Sequence, residues 1–324
     1  MAEQDWPILN VPARTIPMPD SISPGAKAAL AQTLVPMVGA QPDLDDHDAW
    51  RARRAATEEM LLTRYLPVVS DIRAEVEEFT VEDAHIFAIT PPGADDRRVY
   101  LDIHGGALVI GGGECCRAMG TMFAGLVGAK VWTVDYRMAP DHPYPAALDD
   151  CVAAYRTLLK ERDPAEIVIG GGSAGSNLAA ATILRARDEG LPLPAATLLM
   201  SPEIDLTESG DSFRTNLGVD TVLQGSLMQT NLLYANGHDL ADPYLSPLFG
   251  DFSKGFPPAW ITAGTRDLFL SNAARMHRAL RQADVDAELH IFEATPHGMA
   301  LGTGTPEEQD FRREMKRFLE RHWS

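Results

Sequence analysis

The sequence predicts an α/β fold with a mainly parallel central sheet flanked by helices and covered by a helical cap. Three observations lead there. From Val99 onward, short continuous apolar runs alternate with helical patterns, and strands apolar along their whole length belong to parallel sheets buried on both faces. The chain has 324 residues, which at ~150 per domain fits either two domains or one large α/β domain with an insertion. Residues 202–257 then interrupt the alternation with a long Ser-, Asp- and Pro-rich stretch, and so long a segment between two strands reads as a cap.

The elements follow in order. Pro7, Pro12, Pro17, Pro19 and Pro24 break any long element early, and Asp45–Leu66 then reads as a helix charged on most faces. Its few apolar anchors (Trp50, Met60, Leu61, Leu62) suit a cover better than a core element. Ala74–Val81 and His85–Thr90 read as a hairpin or neighbouring strands. Strands are expected at Val99–His104, Lys130–Tyr136, Glu166–Gly170, Ala196–Ser201, Ala259–Ala263 and Ala287–Phe292. Helices are expected at Cys116–Gly128, Ala146–Lys160, Ala174–Glu189, Asn272–Gln282 and Glu307–His322, with one helical piece near Leu223–Tyr234 inside the insertion. The division is residues 1–72 as the N-terminal part of the cap and 73–324 as the α/β domain, with the cap insertion at about 203–240.

Composition excludes several classes. Apolar residues at 45% and charged residues at 23% are ordinary for a globular chain, which rules out a disordered or fibrous protein. No apolar run is long enough to span a membrane, and the acidic Met1–Trp6 lacks the pattern of a signal peptide. The net charge of −18, from 46 acids and 28 bases, disfavours nucleic acid and anionic lipid as partners. Three cysteines, two of them adjacent (Cys115, Cys116), fit a reducing cytoplasm.

The strongest local signal is Ile169-Gly170-Gly171-Gly172-Ser173-Ala174-Gly175-Ser176-Asn177, between a strand and a helix. As Gly171-x-Ser173-x-Gly175 it is a nucleophile elbow; as Gly170-x-Gly172-x-x-Gly175 it is also a dinucleotide fingerprint. Spacing alone does not separate them, but context does. A dinucleotide site wants an acid ~20 residues on, at the end of the next strand. Asp188 and Glu189 end the helix instead, and strands precede the motif.

A serine nucleophile at such an elbow needs an acid and then a histidine further along the chain. His297 alone among the later histidines follows a strand directly and lies in a loop. Asp267 sits in the turn after Ala259–Ala263, one helix and one strand before it. A second acid, Glu293, lies close by in sequence, and Ser271 is the better-placed cap for the helix that follows Asp267. His104-Gly105-Gly106-Ala107 ends a strand in glycines, where exposed N–H groups can hold an oxyanion, with His104 read as holding the loop. No metal-ligand spacing is present: there is no HExxH and no CxxC, and Cys115-Cys116 has no partner at ligand spacing. No cofactor is called for.

With these residues in hand, the chain resembles the bacterial hormone-sensitive-lipase-like (family IV) esterases of the α/β-hydrolase superfamily. The resemblance rests on His104-Gly105-Gly106, Asp135-Tyr136-Arg137-Met138-Ala139-Pro140 with Tyr144-Pro145-Ala146-Ala147, and Ser173-Ala174-Gly175 with Asn177-Leu178-Ala179. It continues through Ser201-Pro202 with Asp205-Leu206, Asp242-Pro243 with Ser246-Pro247-Leu248, and His297-Gly298. It implies an α/β-hydrolase fold, a Ser173–Asp267–His297 triad, and oxyanion donors among Gly105, Gly106, Ala107 and Ala174. The chain departs from the family where Ala107 replaces a third glycine, Gly172 an Asp and Ser176 a Gly, and where Leu268-Phe269-Leu270-Ser271 replaces Pro-Leu-x-Asp after the acid. An Ala107 backbone open to L-residues would keep its N–H as donor, with the methyl narrowing the acyl site. The expected substrate is a small or short-chain ester, with a lactone chemically equivalent. A homodimer is compatible with the sequence. The competing classes are a non-catalytic small-molecule-binding relative, as in the gibberellin receptors, and, more distantly, a nicotinamide-dependent oxidoreductase.

Overall fold

The computed structural model describes residues 9–33, 41–298 and 301–324. The Met1–Trp6 reading and parts of the N-terminal segment, residues 1–8 and 34–40, lie outside them. Two helices open the described chain, α1 (Pro24–Ala31) and α2 (His47–Val69). The proline count points away from α1, yet Ser23 and Pro24 start it. The Ser23 hydroxyl accepts from the Ala26 N–H, and Pro24 occupies the first turn, where its missing N–H costs nothing. Ala26 and Leu30 of α1, with Ile22 just before it, pack against Ala294, and Ser23 donates from N and Oγ to Glu307 at 2.6 and 2.7 Å.

The sheet has eight strands: β1 (Glu75–Val81), β2 (Ala84–Thr90), β3 (Asp95–Ile103), β4 (Ala129–Asp135), β5 (Ile167–Gly172), β6 (Ala196–Met200), β7 (Ala259–Gly264) and β8 (Ala287–Phe292). Their order is β1-β2-β4-β3-β5-β6-β7-β8. β1 and β2 form the expected hairpin, β2 pairs antiparallel with β4, and every pairing from β4 to β8 is parallel. β3 starts earlier than the apolar run suggests, through an irregularity between Asp95 and Val99.

Helices α3 (Glu114–Val127), α4 (Ala146–Leu158), α5 (Ala174–Asp188), α8 (Leu270–Gln282) and α9 (Pro306–His322) flank this sheet. The Ala- and Leu-rich α5 is buried on nearly all sides. Small side chains let it lie close to the central strands, which anchors the turn at its N-terminus. The insertion between β6 and β7 carries α6 (Ser212–Thr215) and α7 (Met228–Ala235). α7 starts five residues later than Leu223, because the preceding segment is bonded elsewhere. Asp220 Oδ1 accepts the N–H groups of Val222 and Leu223, and Glu208 takes Ser226 Oγ and Leu227 N–H. These side-chain acceptors compete with helical bonding for the same donors.

Candidate active site

The elbow exists because two glycines let three backbones meet. A Cβ on Gly171 would lie 2.1 Å from the Ile103 carbonyl oxygen, and one on Gly175 would lie 1.9 Å from it. No L side chain fits there, so β5 can turn into α5 directly beside the end of β3. The turn places Ser173 at φ 58° and ψ −123°, a strained setting found at functional sites. Ser173 N–H donates to the Met200 carbonyl at 2.8 Å. Ser176 donates from its hydroxyl to the Gly171 carbonyl at 2.7 Å from inside the turn.

The structure brings Ser173, His297 and Asp267 together. His297 Nε2 lies 2.9 Å from Ser173 Oγ, and its Nδ1 lies 3.2 Å from Asp267 Oδ1. Asp267 is fully buried; the same oxygen accepts the Phe269 N–H at 2.8 Å. Asp267 thus caps its own turn, and Ser271 does not cap α8: its hydroxyl accepts from Ser212 N–H instead. The Phe269 ring stands edge-on to the imidazole at 4.9 Å. Burial by itself would lower the pKa of His297, but the charge and hydrogen bond of Asp267, with Asp220 and Glu203 nearby, raise it above the ordinary imidazole value.

Asp220 and Glu203 were not legible as site residues. The buried Asp220 takes the His297 N–H on both oxygens at 3.3 Å and the Leu268 N–H at 2.8 Å, tying the histidine loop to the acid loop. Asn216, also from the insertion, donates to the Asp267 carbonyl at 2.8 Å. Glu203 lies three residues past the end of β6, and its N–H donates to the Ser173 carbonyl at 3.2 Å. Both its carboxylate oxygens are buried without a hydrogen-bond partner, and burial pushes its pKa up to about 8. Glu293, the second acid named from sequence, accepts from Thr265 Oγ1 at 3.4 Å.

The loop after β3 curls over the elbow. Gly105 packs on it so closely that a Cβ would meet the Gly172 carbonyl at 2.8 Å. Gly106, at φ 131°, accepts at its carbonyl from Val109 and Ile110 N–H. Among the described residues the N–H groups of Gly106 and Ala107 meet no protein acceptor, and the Ala174 N–H opens α5, where such groups have no intrahelical partner. The expected backbone at Ala107 is corrected here. Ala107 and Leu108 stand at φ 51° and 66°, a left-handed region that costs an L-residue roughly 1–2 kcal/mol.

Helix α2 grips this loop from outside. Trp50, Arg54 and Glu58 share one face at four-residue spacing. Trp50 packs against Val109 and Ala139. Arg54 donates from Nε to the Val109 carbonyl at 2.8 Å and from its other nitrogen to the Ala139 carbonyl. Glu58 accepts the Gly111 and Gly112 N–H groups at 2.8 and 3.1 Å. His104 lies beneath, stacked on Tyr136 at 4.0 Å, with the Tyr136 hydroxyl donating to its carbonyl.

The sequence profile described as the alpha/beta hydrolase fold matches residues 100–301. The chain belongs to this family. Within it the chain falls among the bacterial hormone-sensitive-lipase-like esterases. An esterase of Acinetobacter venetianus is 35% identical over 202 residues, 61% of this chain and 66% of that protein. An acetyl-hydrolase of Streptomyces hygroscopicus is 36% identical over 208 residues, 63% of this chain and 68% of that protein. The matched segment thus spans about two thirds of these relatives' length. Among solved structures, esterase E25 superposes with a TM-score of 0.89 at 33% identity, covering 98% of this chain and 99% of its own. An esterase described as from the bacterial hormone-sensitive lipase family does so at 0.78 and 30%, covering 93% and 99%.

Two expectations test the loop. Ala107→Gly should leave stability unchanged or raise it by up to about 1 kcal/mol, since relief of the left-handed strain exceeds the entropy glycine adds to the unfolded chain. A fall in the urea midpoint would show that the methyl contributes packing instead. Glu58→Ala should lower kcat about tenfold with KM within about twofold. Charge-assisted hydrogen bonds hold ~1.5–3 kcal/mol each, and about half of one of them separates these rates. Unchanged kcat in a folded variant would mean that the loop holds itself.

Proposed function

We propose that this esterase hydrolyses small or short-chain carboxylic esters through an acyl-enzyme on Ser173. His297 Nε2 takes the proton as Ser173 Oγ attacks the carbonyl carbon. The tetrahedral oxyanion is held by the N–H groups of Gly106, Ala107 and Ala174, while Gly105 gives the loop its close seat on the elbow. The carbon–oxygen bond to the alcohol then breaks, and His297 returns the proton to the departing alkoxide. Water enters, gives a proton to His297 and attacks the acyl carbon; as the second intermediate collapses, the acid leaves and His297 returns that proton to Ser173 Oγ. Asp267 fixes the tautomer with Nδ1–H toward itself and stabilises the imidazolium formed twice per cycle.

One observation carries the reading: a half-buried serine at a strained turn, 2.9 Å from the outer nitrogen of a buried histidine whose inner nitrogen meets a fully buried carboxylate. A small acyl group agrees with the apolar cluster beside the imidazole, where Phe213, Leu268 and Phe269 pack with Leu223 and Leu227. Among the described residues no helix is long and apolar enough to cross a membrane. The three cysteines are free and buried, which supports a reducing, cytoplasmic setting.

The direct test is a phosphonate ester inhibitor followed by mass mapping, beside turnover of p-nitrophenyl acetate. Ser173 should carry the adduct, and Ser173→Ala should lose both turnover and labelling while keeping its fold. An adduct on another residue would overturn the assignment. Asp267→Asn should lower kcat by roughly 10³–10⁴. The wild-type kcat/KM should fall on the acid side with a midpoint above the ordinary imidazole value of 6.5, because neutral His297 is the active form and its pKa is raised. In Asp267→Asn that midpoint should move down; an unmoved midpoint would assign the shift to Asp220 and Glu203.

A further inference from the structure

A group of polar side chains beneath the oxyanion loop takes no part in this chemistry. His104 is buried, with Nδ1 2.8 Å from the Gly105 carbonyl oxygen. A carbonyl only accepts, so the ring proton sits on Nδ1. His104 Nε2 is therefore a bare lone pair, and it has no hydrogen-bond partner.

Two further donor side chains lie beside His104, and both are electron-rich. Cys116, from the first turn of α3, and Asp135, from the end of β4, bring Sγ and a carboxylate oxygen so that the three donor atoms lie within 4.8 Å of one another. Cys116 Sγ is 3.4 Å from Thr133 Oγ1, whose own proton goes to Asp102 at 2.8 Å. The thiol proton thus points at Thr133, and the sulfur lone pairs remain. Asp135 accepts from Gly113 N–H at 3.0 Å and stands 3.5 Å from His85 Nδ1. An unpartnered imidazole nitrogen beside a sulfur and a carboxylate oxygen is a donor set that suits a cation.

We propose that His104, Cys116 and Asp135 form a binding site for a thiophilic divalent cation of the zinc class, seated under the oxyanion loop. An imidazole, a thiolate and a carboxylate are a zinc donor set, and a ligand histidine normally gives its other N–H to a carbonyl, as His104 does here. Zinc bonds of ~2.0–2.3 Å require the three donors to draw together. Half-buried Asp135 offers the way in, and water completes the coordination. The balance is simple: the cation binds sulfur as the thiol proton leaves to solvent, so affinity rises with pH.

His104 is covalently joined to Gly105 and leads into Gly106 and Ala107, so drawing the imidazole toward Cys116 and Asp135 moves the oxyanion donors. Bound cation should therefore inhibit by lowering kcat, with KM little changed. That consequence rests on the esterase reading; the binding itself does not. Cys115 is a built-in control, because its thiol turns the other way and donates to the Glu58 carbonyl at 3.3 Å on α2.

The experiment is equilibrium dialysis of the intact protein against zinc chloride, with metal analysis, and a parallel titration with cobalt(II). Wild type and Cys115→Ala should bind one equivalent and show the near-ultraviolet thiolate-to-cobalt charge-transfer band. Cys116→Ala should bind at least roughly tenfold more weakly and lack the band. Cys116→Ser, close in size to cysteine, repeats the comparison should the alanine variant unfold. No stoichiometric binding to wild type, binding indifferent to Cys116, or loss of binding in Cys115→Ala would each overturn the site. Binding that behaves as expected but leaves kcat untouched would overturn its link to the oxyanion loop, while absent ester turnover would fault the esterase reading alone.

Discussion

The close approach of the β5–α5 turn to the Ile103 carbonyl is the constraint on which the rest depends. With a Cβ at Gly171 or Gly175 the backbones would overlap, β5 and α5 would move away from β3, and Ser173 would leave the mouth of the sheet. The strain at Ser173 follows from the same contact: the chain must reverse within one residue between two elements that are both fixed. Those elements are held by burial along the full length of the central strands and of α5. A well-packed core can therefore sustain an unfavourable backbone at its edge.

Charge is arranged around that turn with little solvent to screen it. His297 is nearly buried, and the carboxylates of Asp267, Asp220 and Glu203 all act on it electrostatically. Three full negative charges in so small a buried volume would repel each other strongly. The structure separates their roles by hydrogen bonding. Asp267 accepts the Phe269 N–H, and the N–H groups that Asp220 accepts partly offset the rise that burial gives its pKa. Glu203 accepts none, and burial pushes its pKa up to about 8.

The segments outside the central sheet do more than cover the site. α2 reaches the loop after β3 through Arg54 and Glu58, and the β6–β7 insertion reaches the loops of Asp267 and His297 through Asp220 and Asn216. Two consecutive left-handed L-residues at Ala107 and Leu108 would relax in a free loop. Bonds from a separate helix at Val109, Gly111 and Gly112 hold the chain just beyond them.

The sequence by itself determined the layers, the elbow and the chain order of Ser173, Asp267 and His297, because each is a local pattern. A strand, a glycine-bounded turn and a helix are read from neighbouring residues, and a histidine after a strand can be picked from a few candidates. Element ends were less legible: α1 hides behind prolines that start it, and the segment before α7 is claimed by Asp220 and Glu208. Only the tertiary structure decided which of the many acids face His297, since nothing within a few residues of Glu203 or Asp220 distinguishes them from exposed carboxylates. The left-handed turn at Ala107 and the meeting of His104, Cys116 and Asp135 were settled the same way. Such convergence depends on how separate strands and helices are brought together by burial, and spacing along the chain carries no record of it.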